Sequence, residues 1–150
     1  CGVLAAREAL GLRTEVVGVV SAHAPAYALS LARGEPVSHP VTTVLADGMA
    51  CRTPVPDALA MMTGRVARVV QVTDAQVAGA MRAFFTDTHN VAEGAGAAAL
   101  AALLAERETS PELVAGRRAA VVLCGGNVDA DVFARVLESR DSVSGTRDRT

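Results

Sequence analysis

Three short stretches of this sequence group residues that could do chemistry. Cys124-Gly125-Gly126-Asn127 follows an apolar run and shortly precedes Asp129, a residue suited to starting a helix. In open α/β sheets, ligands bind where a strand's carboxyl end turns into the next helix, and two glycines let a ligand approach the backbone closely. The plainer reading is a tight turn in which Cys124 is a small buried hydrophobe. Glu93-Gly94-Ala95-Gly96-Ala97-Ala98-Ala99 contains the pattern GxGxxA. A dinucleotide fingerprint needs a strand directly before it, and Thr86 to Asn90 is too polar to be one. Without that strand the stretch reads as a glycine-rich helix start packing against a sheet. Glu93 then partners the helix dipole or faces the crevice. The third stretch, Ala46-Asp47-Gly48, is by itself an ordinary turn.

Other reactive residue types lack a supporting pattern. His23, His39 and His89 have no metal-ligand spacing, so no metal is expected. Cys1 as an N-terminal nucleophile would ordinarily begin a strand, whereas the residues after it have helical spacing. Cys1, Cys51 and Cys124 form no CxxC pair, which points to a reduced, cytoplasmic setting. The sequence opens on Cys1 rather than Met, which we read as a processed chain or a piece of a longer one.

The composition narrows the class. With 51% hydrophobic residues in 150, a disordered chain is excluded. Only 3% are aromatic, so the core must be Ala, Val and Leu, whose small side chains suit closely layered helices and strands. A formal net charge of −2 argues against nucleic acid or an anionic membrane as partner. The longest apolar run, Gly94 to Ala105, falls short of the ~20 residues that cross a bilayer. All 14 basic residues are arginine, and lysine is absent.

The elements that must position these stretches follow from periodicity and punctuation. Val3 to Leu10 has helical spacing with Gly11 as C-cap, and Glu15 to Val20 reads as a strand buried on both faces. Ala24 to Arg33 is a helix stopped by Gly34, and Glu35 to Pro56 is loop. A short helix, Pro56 to Met62, leads to a second strand, Val66 to Val72. Thr73-Asp74-Ala75-Gln76 is a capping box for a helix through about Phe85. Thr86 to Asn90 is loop, and a helix after Glu93 ends near Arg107. Ser110 to Arg118 is a linker, and Ala119 to Leu123 reads as a third buried strand. Asp129 caps a last helix to about Glu138, and residues 139–150 form a frayed polar tail. The order predicts an α/β fold, a three-layer wound sheet with helices on both faces, in a domain of residues 1–138. Three strands leave two raw edges, so partner strands are expected outside this chain.

Four segments in this order resemble one family. Glu15-Val16-Val17-Gly18-Val19, Leu45-Ala46-Asp47-Gly48, Thr88-His89-Asn90-Val91-Ala92-Glu93-Gly94-Ala95-Gly96-Ala97 and Leu123-Cys124-Gly125-Gly126-Asn127-Val128-Asp129 are together similar to the C-terminal part of threonine/serine dehydratases, of the fold type II pyridoxal-phosphate (tryptophan synthase β-like) family. The resemblance runs from Cys1 to about Asp131. It implies the C-terminal half of that family's large domain and pyridoxal 5'-phosphate as cofactor. It also implies β-elimination of water from L-threonine or L-serine, giving a 2-oxo acid and ammonia. Cys124 would be the partner of the cofactor's ring nitrogen, beside Gly125. Gly48 and Asp47 would lie by cofactor and substrate, and Glu93 near the ring. A neutral thiol cannot hold that nitrogen protonated as a carboxylate would, which makes the ring a weaker electron sink. The family's Schiff-base lysine is missing, so no catalytic residue lies in this chain. The acidic cation ligands of some relatives are also missing, with Val20 and Ala26 in their places. The partners implied are a small amino acid, the remainder of the same domain and, at full length, further copies of the protein. The alternatives are a non-catalytic fragment or interaction module, or another enzyme of the fold such as a serine racemase.

Overall fold

The computed structural model describes residues 1–139, and the predicted polar tail lies outside them apart from Ser139. Two strands, β1 (Val17–Ser21) and β2 (Arg68–Val72), pair in parallel with Val17 opposite Arg68 and Ser21 opposite Val72. Between them in the chain come helix α2 (Ala26–Arg33), a long loop and helix α3 (Pro56–Met62). Helix α1 (Gly2–Ala9) precedes β1. After β2 follow α4 (Asp74–Thr88), α5 (Gly94–Thr109) and α6 (Ala130–Glu138).

Alternation along β2 sends its side chains to two layers. Val70 and Val72 join the main core, whereas Val69 and Gln71 face a hollow shared with α2 and α3. On the core side, α5 crosses both strands and α4 packs on α5. The buried contact is largely alanine (Ala97, Ala98, Ala101 and Ala102) against Val77, Ala80, Met81 and Phe84 of α4. Side chains this small let α4 and α5 approach closely, as the low aromatic content predicted. Helix α6 closes that side through an edge-to-face contact of Phe85 with Phe133, centroids 5.5 Å apart. Helices thus cover both faces of the sheet.

Local signals held well. The capping box is complete: Thr73 Oγ1 accepts from the Gln76 amide at 3.3 Å, and Gln76 Oε1 accepts from the Thr73 amide at 2.9 Å. Gly34 ends α2 in the left-handed conformation at φ 77°. Helix α4, however, runs on to Thr88 through most of the predicted loop. Thr88 returns its hydroxyl to the Phe84 carbonyl at 2.6 Å, and His89 turns the chain at φ 57°.

The predicted third strand, Ala119 to Leu123, does not form. A groove of about 760 Å³ separates it from β1, lined by Glu15, Val16, Val17 and Val19 on one side and Ala119–Val122 on the other. Adjacent strands must lie about 4.8 Å apart to pair, so a segment across a groove makes no ladder. Val122 is left 65% exposed.

At the groove's inner wall, Arg68 at the start of β2 meets Glu106 on α5 in a two-pronged ion pair, its Nη2 donating to Oε2 at 2.8 Å. The Arg68 hydrogen bond holds the Glu106 carboxyl below its ordinary value, against the opposing effect of burial. The pair's contribution is therefore complete above the unfolded carboxyl value of about 4.3 and is lost as pH falls through the lower folded value. Glu106→Gln should cost about 2 kcal/mol at pH 7 in urea unfolding. That deficit should shrink as the unfolding series is repeated towards pH 3.

Candidate functional site

Two loops converge on the first turn of α5. Glu93, its N-cap residue, donates its amide to the Gly125 carbonyl at 2.9 Å, tying the start of the helix to the glycine turn. Inside that turn the chain needs glycine twice. A methyl at Gly96 would run into the Cys124 carbonyl oxygen and lie 2.6 Å from that of Gly125. One at Gly94 would meet the Leu45 carbonyl, its carbon at 2.7 Å. The Leu45–Gly48 loop and the Cys124–Gly125 turn thus clasp the helix start from two sides.

The Glu93 side chain lies across the clasp. A Cβ on Gly125, whose φ is +30°, would fall 2.5 Å from the Glu93 carboxyl carbon. One on Gly48 would lie 3.6 Å from Glu93 Oε1 and 2.9 Å from the Ala95 methyl. Four of the residues singled out from the sequence (Gly48, Glu93, Cys124 and Gly125) are therefore brought together. Asp47 follows Ala46 at the start of a short 3₁₀ turn, Asp47–Met49. With Gly48 it lines a hollow of about 350 Å³ beyond the end of β1, beside Val20, Tyr27 and Cys51. Cys124 and Glu93 are not in the wall of that hollow, so Gly48 is the link between the two parts.

Cys124 is exposed, so the reading of it as a buried hydrophobe is corrected. Among the described residues, the side chains of Cys124, Glu93 and Asp47 have no hydrogen-bond partner. Two of these polar groups, Cys124 and Glu93, thus stand at the clasp, and Asp47 stands in the hollow beyond Gly48. Among the described residues no three His, Cys, Asp or Glu side chains cluster as metal ligands would.

The sequence reading missed why the two glycines of α5 are there. It placed them against a sheet, whereas they face backbone carbonyls of two loops. The signal was the Gly-x-Gly spacing at the helix start, whose packing partners lie about 50 residues before and 30 after it in the chain.

Comparison with known proteins gives a consistent result. Residues 1–125 match the family described as pyridoxal-phosphate dependent enzyme. An L-threonine ammonia-lyase of Geobacter sulfurreducens is 38% identical over 123 residues, covering 82% of this chain and 30% of that protein. The crystal structure of the T.th. threonine deaminase superposes with a TM-score of 0.75 at 30% identity, over 85% of this chain and 45% of the other. A maize serine racemase structure gives a TM-score of 0.79 at 25% identity, over 89% and 41%. The chain spans between 30% and 41% of the length of the curated relatives it matches.

Proposed function

Because this chain belongs to the pyridoxal-phosphate dependent enzyme family, we propose that residues 1–138 are the C-terminal part of the large domain of an L-threonine or L-serine dehydratase. The whole enzyme removes water across the α and β carbons of the amino acid, then takes up water and releases ammonia and a 2-oxo acid. The observation that carries this reading is the meeting of Cys124–Gly125, Glu93 and Gly48 at the first turn of α5.

The residues present fit the cofactor. Glycine at 125 leaves room for the Glu93 carboxyl, and the exposed, partnerless Cys124 thiol would meet the ring nitrogen as a weak neutral donor. When bound, pyridoxal phosphate supplies the electron sink that acidifies the amino acid's α-carbon. A neutral thiol at Cys124 would not hold the ring nitrogen protonated as a carboxylate would, which would make the sink a weaker one. Glu93 would lie near the ring, and Asp47 would lie by the amino acid in the neighbouring hollow. The family resemblance implies that a lysine would take the α-proton, and that lysine would lie outside these residues, none of which is lysine.

The groove beside β1 supports the remainder of the domain as this chain's first partner. Its two walls are the free edge of β1 and the unpaired Ala119–Val122 segment, so a single apolar strand seated there would pair with both. The residues alone should bind a hydrophobic dye, and its fluorescence should fall once the rest of the domain is present. We assign the protein a cytoplasmic setting on its free cysteines, and a homo-oligomeric state when complete.

The reading is tested by supplying L-threonine and pyridoxal phosphate to the holoenzyme that contains this chain. Ammonia and 2-oxo acid should appear in equal amounts, and the 150-residue chain alone should be inactive. Inverted serine without ammonia would instead favour a racemase, the second reading, which the likeness to maize serine racemase supports. Activity or Schiff-base absorbance from the isolated chain would overturn the account of the absent lysine.

A further inference from the structure

The loop that carries Asp47 and Gly48 has little regular structure of its own, yet it must hold Gly48 against Ala95 and Glu93. We propose that Asp74, the first residue of α4, is the positioning residue that sets this loop, an inference resting on the reading of Asp47–Gly48 as part of the site.

An acidic residue in a helix's first turn is ordinarily explained by the dipole alone. Here both carboxylate oxygens are engaged by chain 30 residues away. Asp74 Oδ1 accepts from the Thr43 hydroxyl at 2.6 Å, and Oδ2 accepts from the Val44 amide at 2.9 Å. Thr43 Oγ1 in turn accepts from the Ala46 amide at 3.1 Å. The Ala46 carbonyl accepts from Met49 at 2.9 Å and closes the turn that contains Gly48. A relay of hydrogen bonds thus runs from the start of α4 to the turn whose glycine touches Glu93 and Ala95. The far end of the relay is rigid, because Asp74 directly follows Thr73, the capping-box residue that joins β2 to α4.

The exposure pattern separates positioning from stability. Val44 is 89% exposed, so water can replace the carboxylate at its amide, and losing Asp74 leaves no buried donor stranded there. Ala46 is fully buried and depends on Thr43 for its amide. Loss of Asp74 should therefore free the loop more than it destabilises the fold.

The test uses the holoenzyme with Asp74→Ala, Thr43→Val, Thr43→Ser and Gln76→Ala. Gln76→Ala breaks the capping box of the same helix without touching the loop. Asp74→Ala and Thr43→Val should each speed amide exchange at Ala46 about tenfold, the size of one lost hydrogen bond. Each should raise KM for L-threonine and Kd for pyridoxal phosphate several-fold with a smaller change in kcat, and the pair together should add little. Thr43→Ser should restore all three values. Gln76→Ala should lower Tm and leave them unchanged. A KM rise in Gln76→Ala equal to that in Asp74→Ala would overturn the proposal, as would unaltered exchange at Ala46 in Asp74→Ala. Faster exchange with unchanged KM and Kd would also overturn it and leave the dehydratase reading intact. Exchange that moves as expected in a protein that never eliminates water would place the fault in the assigned reaction and uphold the tether.

Discussion

Gly96→Ala should dismantle the candidate site with one added methyl. The new carbon would be driven into the Cys124 carbonyl and within 2.6 Å of the Gly125 carbonyl. Backbone cannot swing aside as a side-chain tip can, so either α5 or the glycine turn must move. Overpacking of this kind costs about 1–3 kcal/mol, and a backbone obstacle puts Gly96→Ala at the upper end. Gly2→Ala is the matched control, since nothing lies within 4 Å of a methyl there. It should be neutral or slightly stabilising, because alanine loses less backbone freedom in a helix than glycine. Urea unfolding of both variants checks the stability difference. Titration with pyridoxal phosphate should show loss of binding in Gly96→Ala under conditions where it remains folded.

Changing the charge at position 124 should alter which reaction follows rather than whether the protein folds. Cys124 is exposed, and a polar replacement strands no buried group. Cys124→Ser keeps a neutral donor and should keep both cofactor binding and elimination. Cys124→Ala removes one weak hydrogen bond and should cost less than about tenfold in cofactor affinity. Cys124→Asp should do far more. A carboxylate hydrogen-bonded to the ring nitrogen is worth about 1.5–3 kcal/mol, so the nitrogen's hold on a proton should rise about tenfold to a hundredfold. Elimination from L-threonine should then lose ground to transamination or racemisation. The product ratio, measured by chiral separation and 2-oxo acid formation, decides it. An unchanged ratio in Cys124→Asp would show that the side chain does not reach the cofactor.

Much of the local structure was legible because its causes lie within a few residues. Thr73 and Gln76 satisfy each other's amides three positions apart, and Gly34 supplies a left-handed cap that other residues resist. Pro56 starts α3 at a position where its missing N–H costs nothing. The end of α4 was misjudged for a local reason of a different kind. Thr86, Asp87 and Thr88 read as loop by type, yet Thr88 folds its hydroxyl back on the helix and the last turn persists.

The sequence by itself determined the helices, the two strands that pair and the alanine-built core, because each follows from periodicity or side-chain size. Only the tertiary structure decided that Ala119–Leu123 stands apart from β1, since a ladder depends on what lies alongside rather than on the segment's own residues. It alone decided that Gly94 and Gly96 admit two backbone carbonyls and that Asp74 reaches Thr43 and Val44. Those contacts join residues about 30 to 50 positions apart, and no local preference of either partner encodes the meeting.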